Sequence, residues 1–374
     1  VSHQLSMLST PSWPSHGGQS AALLQRFGLP PDYPLEDFSA NLNPLGPPEW
    51  VAEALSSQLL ALKHYPAPDY GAAREAIAAY HRVAVEQVLL TNGGAEAIFL
   101  AASLHAGQKA GVLAPSFGEY ARACHAYQMP VTSITLPAPA FALDLDAFVA
   151  ALEGIDVVFL CRPNNPTATL ISFDDMQALL ARTAAINCRV VVDEAFIDMT
   201  VGRGEAASLT PLLVDHPHML LLRSMTKFFT LPGLRLGYVL ASAPLIRSLG
   251  ARQPPWSVNQ MAAELVAPLL ADQAFAERTR TWLEIEHPRM AIALRAKGLE
   301  VVPSTTNFFL VRPNNALREG GLDSNVLFER LLQRGMLVRH TQNFSGLDGG
   351  WLRIALRDAQ ANHRLLKVFN DCLC

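Results

Sequence analysis

The 374-residue sequence has no run of the ~18 apolar residues that a membrane-crossing helix needs. It also lacks a CxxC pair or any Cys/His spacing of the kind that holds zinc. No stripe of Lys and Arg marks a nucleic-acid surface. Membrane, metal and nucleic acid are therefore not expected as partners. Cysteine is scarce, at five, and fits no disulfide scheme: Cys124, Cys161 and Cys188 sit in apolar stretches, and Cys372 and Cys374 come last. Reduced thiols in the cytoplasm are expected, since Val1 to Gly18 shows neither the charged nor the long apolar region of a secretory leader. Charge is sparse too: 17% of residues, 29 basic against 33 acidic, for a net −4. With 50% hydrophobic residues the composition excludes wholesale disorder, and the length suits two domains.

What is present is an alternation of buried apolar runs and helical stretches. The runs fall at Val88–Thr91, Gly111–Ala114, Val131–Leu136, Val157–Cys161, Val190–Val192, Leu220–Leu222 and Tyr238–Leu240. Near-continuous Val/Leu/Ile runs are strands buried on both faces, so an α/β fold with a mostly parallel central sheet and helices on both faces is expected. Later, long amphipathic stretches (Asn259–Leu270, and Ala274–Lys297 with Pro288 as a kink or restart) give way to short strands and helices, a smaller α+β domain. The expected division is an arm and part of the small domain at 1–43, a large domain at 44–272 and a small domain at 273–374. The segment before Tyr65 reads as loop-rich, with six prolines between Pro30 and Pro48.

Open parallel sheets place ligands beyond the carboxyl ends of their strands, and the informative clusters follow the runs. Ser224-Met225-Thr226-Lys227 precedes Pro232-Gly233-Leu234-Arg235. A lysine forms a Schiff base with an aldehyde once its pKa is depressed. The hydroxyls of Ser224 and Thr226 and the cation of Arg235 suit an anion beside that aldehyde, and the cofactor carrying both is pyridoxal 5′-phosphate. Asp193, at the exit of Val190–Val192, suits a pyridinium nitrogen, with a helix N-cap as its plain structural alternative. Glu194 beside it reads as structural or capping. Asn92-Gly93-Gly94-Ala95, between a strand and a helix, offers a phosphate seat. Asn165, in Arg162-Pro163-Asn164-Asn165-Pro166-Thr167, can donate to a ring oxygen without ionising. Phe117 can stack on the ring.

In this order the clusters resemble the fold-type I pyridoxal-phosphate family, the aspartate aminotransferase-like enzymes, from His64 to Arg357. The resemblance implies that Lys227 joins the cofactor covalently, Asp193 pairs with its ring nitrogen and Asn165 faces its ring oxygen. It implies that Gly93, Gly94, Ala95, Ser224, Thr226 and Arg235 hold the phosphate while Phe117 stacks. Tyr65 matches a tyrosine that reaches the neighbouring subunit's site, which implies a homodimer. Arg353 matches the arginine that binds the substrate's acid group. Two positions depart from the pattern: Ala168 stands where glycine is usual, and Arg162 where a small polar residue is usual.

Two subgroups come close, one that transaminates histidinol phosphate and one that decarboxylates L-threonine O-3-phosphate in cobalamin synthesis. His16-Gly17-Gly18, the stretch Asp37 to Gly46 containing Asn41, and Asn343-Phe344-Ser345-Gly346 look like the second. Phe196 stands where many aminotransferases carry a tyrosine. A phosphorylated amino acid needs several fixed donors, and His16, Gly17, Gly18, Asn41, Asn165, Arg339 and Arg353 are the residues expected to supply them.

Overall fold

A computed structural model of the chain describes residues 13–373; Cys374 and the first twelve residues of the expected arm lie outside them. Thirteen strands are described: β1 (Glu36–Asp37), β2 (Val88–Thr91), β3 (Ala110–Ala114), β4 (Val131–Thr135), β5 (Val157–Cys161), β6 (Arg189–Asp193), β7 (Met219–Ser224), β8 (Gly237–Ala241), β9 (Leu299–Val301), β10 (Phe308–Pro313), β11 (Met336–Leu337), β12 (Arg339–His340) and β13 (Leu352–Ala355). Seven of them form one sheet in the order β2-β8-β7-β6-β5-β3-β4. Only β8 runs against the rest. The expected mostly parallel α/β sheet is present.

Burial explains the sequence pattern. On the inner strands β3, β5, β7 and β8 every residue is buried, so polarity has no reason to alternate. Val158, Leu160, Val190, Val192 and Leu221 pack on one face, and Val157, Phe159, Val191, Leu220 and Leu222 on the other. Each such side chain contributes about 1.5–3 kcal/mol. At the edge, β4 exposes Thr132, Ser133 and Thr135.

A second, antiparallel sheet has the order β12-β13-β10-β9. Nearby, β1 pairs in parallel with β11, which ties the early chain to the late one. The early segment is loop-rich, as its prolines suggest, and carries short helices between its loops. It holds helices at Ser20–Arg26 and Val51–Ser57 and a 3₁₀ turn at Leu59–Lys63. Leu23, Leu24 and Val51 bury an apolar face in each helix, and a proline just ahead of a helix costs it nothing.

Pro288 does not divide its helix. Gln273–Ala296 is continuous, capped by Asp272, whose carboxylate accepts the Phe275 N–H at 2.9 Å. Buried Phe275, Leu283, Met290 and Leu294 hold one stripe against the core, and that packing outweighs a single missing backbone hydrogen bond. Among the described residues no helix is long and apolar enough to cross a membrane.

Candidate active site

Because six strands of the large sheet run together, their carboxyl ends meet along one edge. The register aligns Cys161 with Asp193 on β5 and β6, and Ser224 with Gly237 on β7 and β8. The reversed β8 begins where the others end, so Arg235 just before it arrives at the same edge. Gly237 admits this crowding: a Cβ there would lie 2.8 Å from the Arg223 carbonyl oxygen and 2.9 Å from the Gly93 carbonyl carbon.

Lys227 lies on the one-turn helix Met225–Phe228 that follows β7. Its amine has no hydrogen-bond partner among the described residues. Burial, then the cations of Arg353 and Arg235, pull its pKa down to about 8, against the opposing pull of Asp193. About a tenth of the amine is therefore free at pH 7 and half at pH 8, far more than for an ordinary lysine, and nucleophilic capture of an aldehyde requires that free form.

Asp193 accepts hydrogen bonds from the Tyr120 hydroxyl at 2.7 Å and the Ala195 N–H at 2.9 Å. Burial raises its pKa, and those two donors oppose the rise. No α-helix follows it, so the N-cap alternative does not apply. Glu194 does not cap an α-helix either; it is buried between Arg162 and Arg223. Tyr120 is the functional residue that sequence reasoning missed. Its signal was its place three residues after Phe117, in the first turn of the helix Glu119–Ala126.

The glycine turn meets Arg235 directly. Gly93 has φ +74°, and a Cβ there would lie 2.7 Å from Arg235 Nη2. Arg235 donates to the Pro232 carbonyl at 3.1 Å and pairs with no carboxylate among the described residues. The Ser224 and Thr226 hydroxyls lie 2.7 Å apart, and Ser224 Cβ faces Gly94. Ala95 completes the first turn of the eleven-residue helix Gly93–Ser103, whose amide dipoles add to the anion's attraction.

On the other side of Lys227, Arg353 donates to Asn165 Oδ1 and, at 2.6 Å, to the Ser39 carbonyl. Its Nε and both amide atoms of Asn41 are buried with no partner. Burial and the Arg339 cation lower the Arg353 pKa to about 9. A buried guanidinium among neutral acceptors is costly until an anion reaches it.

Arg339 is turned toward the arm. It donates to the carbonyls of Pro14 and Ser15 at 3.1 and 2.8 Å and to Asn343 Oδ1 at 2.8 Å. The arm continues across its own chain. His16 Nε2 lies 3.2 Å from Glu119, and its ring sits 5.8 Å from that of Phe117. Gly17 passes so close to Ser39 that a Cβ would sit 2.2 Å from its carbonyl oxygen, and the Gly18 N–H bonds Ser39 Oγ at 2.8 Å. Ser39 thus touches both the arm and Arg353. Tyr65 stands apart, 81% exposed, its ring 4.9 Å from Trp256. Both departures from the family pattern hold their places: Ala168 adopts φ +61°, the conformation glycine favours, and Arg162 is buried.

Pyridoxal 5′-phosphate fits this set of residues. A free amine serves its aldehyde, a buried carboxylate its ring nitrogen, and an unpaired arginine beside a glycine turn and two hydroxyls its phosphate. The orphaned atoms of Asn41 and Arg353 leave donors for a substrate. Among curated proteins the chain is 37% identical to the threonine-phosphate decarboxylase of Salmonella typhimurium, over 96% of each. It is 30% identical to an adenosylcobalamin biosynthesis bifunctional protein of Leptospira interrogans, over 96% of this chain and 41% of that one. A crystal structure of the histidinol-phosphate aminotransferase from Clostridium acetobutylicum superposes with a TM-score of 0.83 at 26% identity, covering 90% of this chain and 98% of that one. The sequence model of class I and II aminotransferases matches residues 34–369, nearly the whole chain, and the chain belongs to that family.

Proposed function

We propose that the protein is a pyridoxal-phosphate-dependent carboxy-lyase that converts L-threonine O-3-phosphate to (R)-1-aminopropan-2-ol O-phosphate and CO2, a step of cobalamin synthesis. The observation that carries this reading is the pair of buried arginines, Arg353 and Arg339, free of any carboxylate partner among the described residues, with Arg339 bonded to the Pro14 and Ser15 carbonyls of the arm. A substrate with a carboxylate and a phosphate needs two such cations. The 37% identity to a decarboxylase over nearly all of both chains points the same way.

When bound, pyridoxal phosphate supplies an aldehyde for the substrate amine and a cationic ring that draws off the electron pair left by departing CO2. The chain does the rest. Lys227 Nζ holds the cofactor until substrate arrives, then returns a proton to the substrate Cα. Asp193 keeps the ring nitrogen protonated, and Tyr120 keeps Asp193 in place. Gly93, Gly94, Ala95, Ser224, Thr226 and Arg235 hold the cofactor phosphate, Asn165 faces the ring oxygen and Phe117 lies on the ring. Arg353, Arg339, Asn41 and the His16-Gly17-Gly18 arm would grip the substrate's carboxylate and phosphate, and the orientation they impose would select which bond breaks. Phe196 is buried edge-on to Phe308, with ring centroids 5.1 Å apart, and brings no hydroxyl to the ring.

In this reading residues 44–272 bind the cofactor, 273–374 together with 1–43 grip the substrate, and two copies pair through the exposed Leu59, Leu60, Leu62 and Tyr65. Cys124, Cys161, Cys188 and Cys372 are buried and unpaired, in keeping with a cytoplasmic protein.

Incubation with L-threonine O-3-phosphate and pyridoxal phosphate, without a keto acid, tests the assignment. Continuous CO2 release over many turnovers is expected. One stoichiometric conversion of the cofactor to its amine form would instead identify an aminotransferase of the histidinol-phosphate type.

A further inference from the structure

Behind the cofactor side, the large sheet carries charge where a core ordinarily carries only apolar groups. Successive side chains on a strand alternate between faces, so the neighbour of a site-facing residue points the other way. At the ends of β5, β6 and β7 these neighbours are Arg162, Glu194 and Arg223. The pairing of Cys161 with Asp193, and of Asp193 with Leu222, makes them cross-strand neighbours one step further on. The backbone confirms that step: the Arg162 N–H donates to the Asp193 carbonyl, and the Glu194 N–H to the Leu222 carbonyl, each at 2.8 Å. Across the reversed strand, Arg223 is paired with Tyr238.

The result is a buried row of plus, minus, plus on three adjacent strands. Glu194 lies 3.4 Å from Arg162 and 3.7 Å from Arg223. It also accepts from Ser208 Oγ at 2.7 Å and from the Leu209 N–H at 2.9 Å. Arg223 reaches Glu205 at 2.5 Å and Asp198 at 3.1 Å. Arg162 donates to the carbonyls of Ala207 and Ile171. The row thus adjoins the ends of β6 and β7, which bear Asp193 and Ser224, and the turn after β5 that bears Asn165.

Stability alone does not call for such a row, since apolar residues of similar volume are often as stable or more so. The row is also imperfectly satisfied: Arg162 Nη2 and Arg223 Nε are buried without partners. A network selected for stability would not leave them so. Charge-assisted hydrogen bonds, however, fix direction and spacing where apolar contact permits sliding.

We propose that Arg162, Glu194 and Arg223 are positioning residues, a charged rung that sets the relative placement of Asn165, Asp193 and Ser224 and thereby the seat of pyridoxal phosphate. This rests on the cofactor reading above and adds a role for residues that touch neither cofactor nor substrate. It also gives the unusual Arg162 a function.

The test uses the full chain and pyridoxal phosphate alone, with no substrate. Cofactor dissociation constant, visible circular dichroism of the bound cofactor and melting temperature of the cofactor-free protein are compared for wild type, E194Q and the apolar double variant R162M/E194L, which leaves Arg223 on Glu205 and Asp198. The double variant removes one cation and one anion together and is expected to melt close to wild type, yet to bind the cofactor at least tenfold more weakly with a diminished dichroic band. Wild-type affinity and dichroism in the apolar variant would overturn the proposal. If that variant does not fold, E194Q decides: weakened affinity with an altered band supports the rung, and an unchanged affinity and band at a lowered melting temperature reduces it to scaffolding. A wild type that takes up no pyridoxal phosphate removes the cofactor reading itself, a result distinct from either.

Discussion

Lys227 and Asp193 attract each other across the seat of the ring, and their ionisation sets what the protein does with pH. The Lys227 pKa lies near 8, below its ordinary 10.5. Capture of pyridoxal phosphate, followed by the growth of its visible band, is expected to quicken as pH rises from 6 and to level off above about 8; Lys227→Ala should show no such band at any pH. The sign of the linked stability follows. Between about 8 and 10.5 the unfolded chain holds the proton that the folded chain has lost, so this group makes the cofactor-free protein more stable as pH climbs through that window. Tyr120→Phe removes one of two donors to Asp193. We expect it to cost about 1–3 kcal/mol in denaturant melts, to raise the Asp193 pKa and to lower turnover about tenfold with little change in KM. Lys227, Asp193 and Asn165 were legible in the sequence because each directly follows an apolar run. Tyr120 was not, because its partner is 73 residues away and no local pattern marks a hydroxyl aimed at a distant carboxylate.

At the scale of elements, the strands of the large sheet were read to within a residue or two because burial on both faces leaves so little choice of composition; the short β1 and β9 were not read. Helix breaks were read less well, since a single proline weighs less than a stripe of buried contacts, as Pro288 shows. The early segment is loop-rich as read, and its six prolines lie between the short helices Ser20–Arg26 and Val51–Ser57, not inside them. The turn after β5 carries its own strain. Ala168 sits at φ +61°, its N–H bonded to the Asn164 carbonyl at 2.7 Å. A left-handed residue with a Cβ costs roughly 1–2 kcal/mol, and the buried methyl returns about 0.8 kcal/mol. Ala168→Gly is therefore expected to raise stability by up to about 1 kcal/mol, measured by urea unfolding, with turnover unchanged.

For the whole molecule, the apolar turn at 59–65 faces outward, while the arm folds back over its own chain. Leu60 is 84% exposed and Tyr65 81%, and Leu59 and Leu62 beside them are exposed as well. If two copies pair through this turn as proposed, Leu60→Asp shifts the sedimenting species from dimer to monomer and reduces turnover with it; a species of unchanged size in wild type and variant would remove the proposed pairing. Arg339→Met should free the arm, raising KM for the phosphorylated amino acid at least tenfold while pyridoxal phosphate stays bound. These contacts join residues some three hundred positions apart, which no window of sequence displays.

The one strand that runs backwards has a last consequence. Because β8 starts where β7 ends, Lys227 and Arg235 belong to a single short loop, pinned by the Leu231 N–H on the Thr226 carbonyl at 3.1 Å and by the Thr230 hydroxyl on the Asn43 carbonyl at 2.5 Å. In the reading proposed above, that connection is a calliper whose two jaws take the two ends of one small molecule. A residue inserted between Phe229 and Pro232 would open the jaws by a few ångströms, and the vitamin would then fit one jaw or the other but not both.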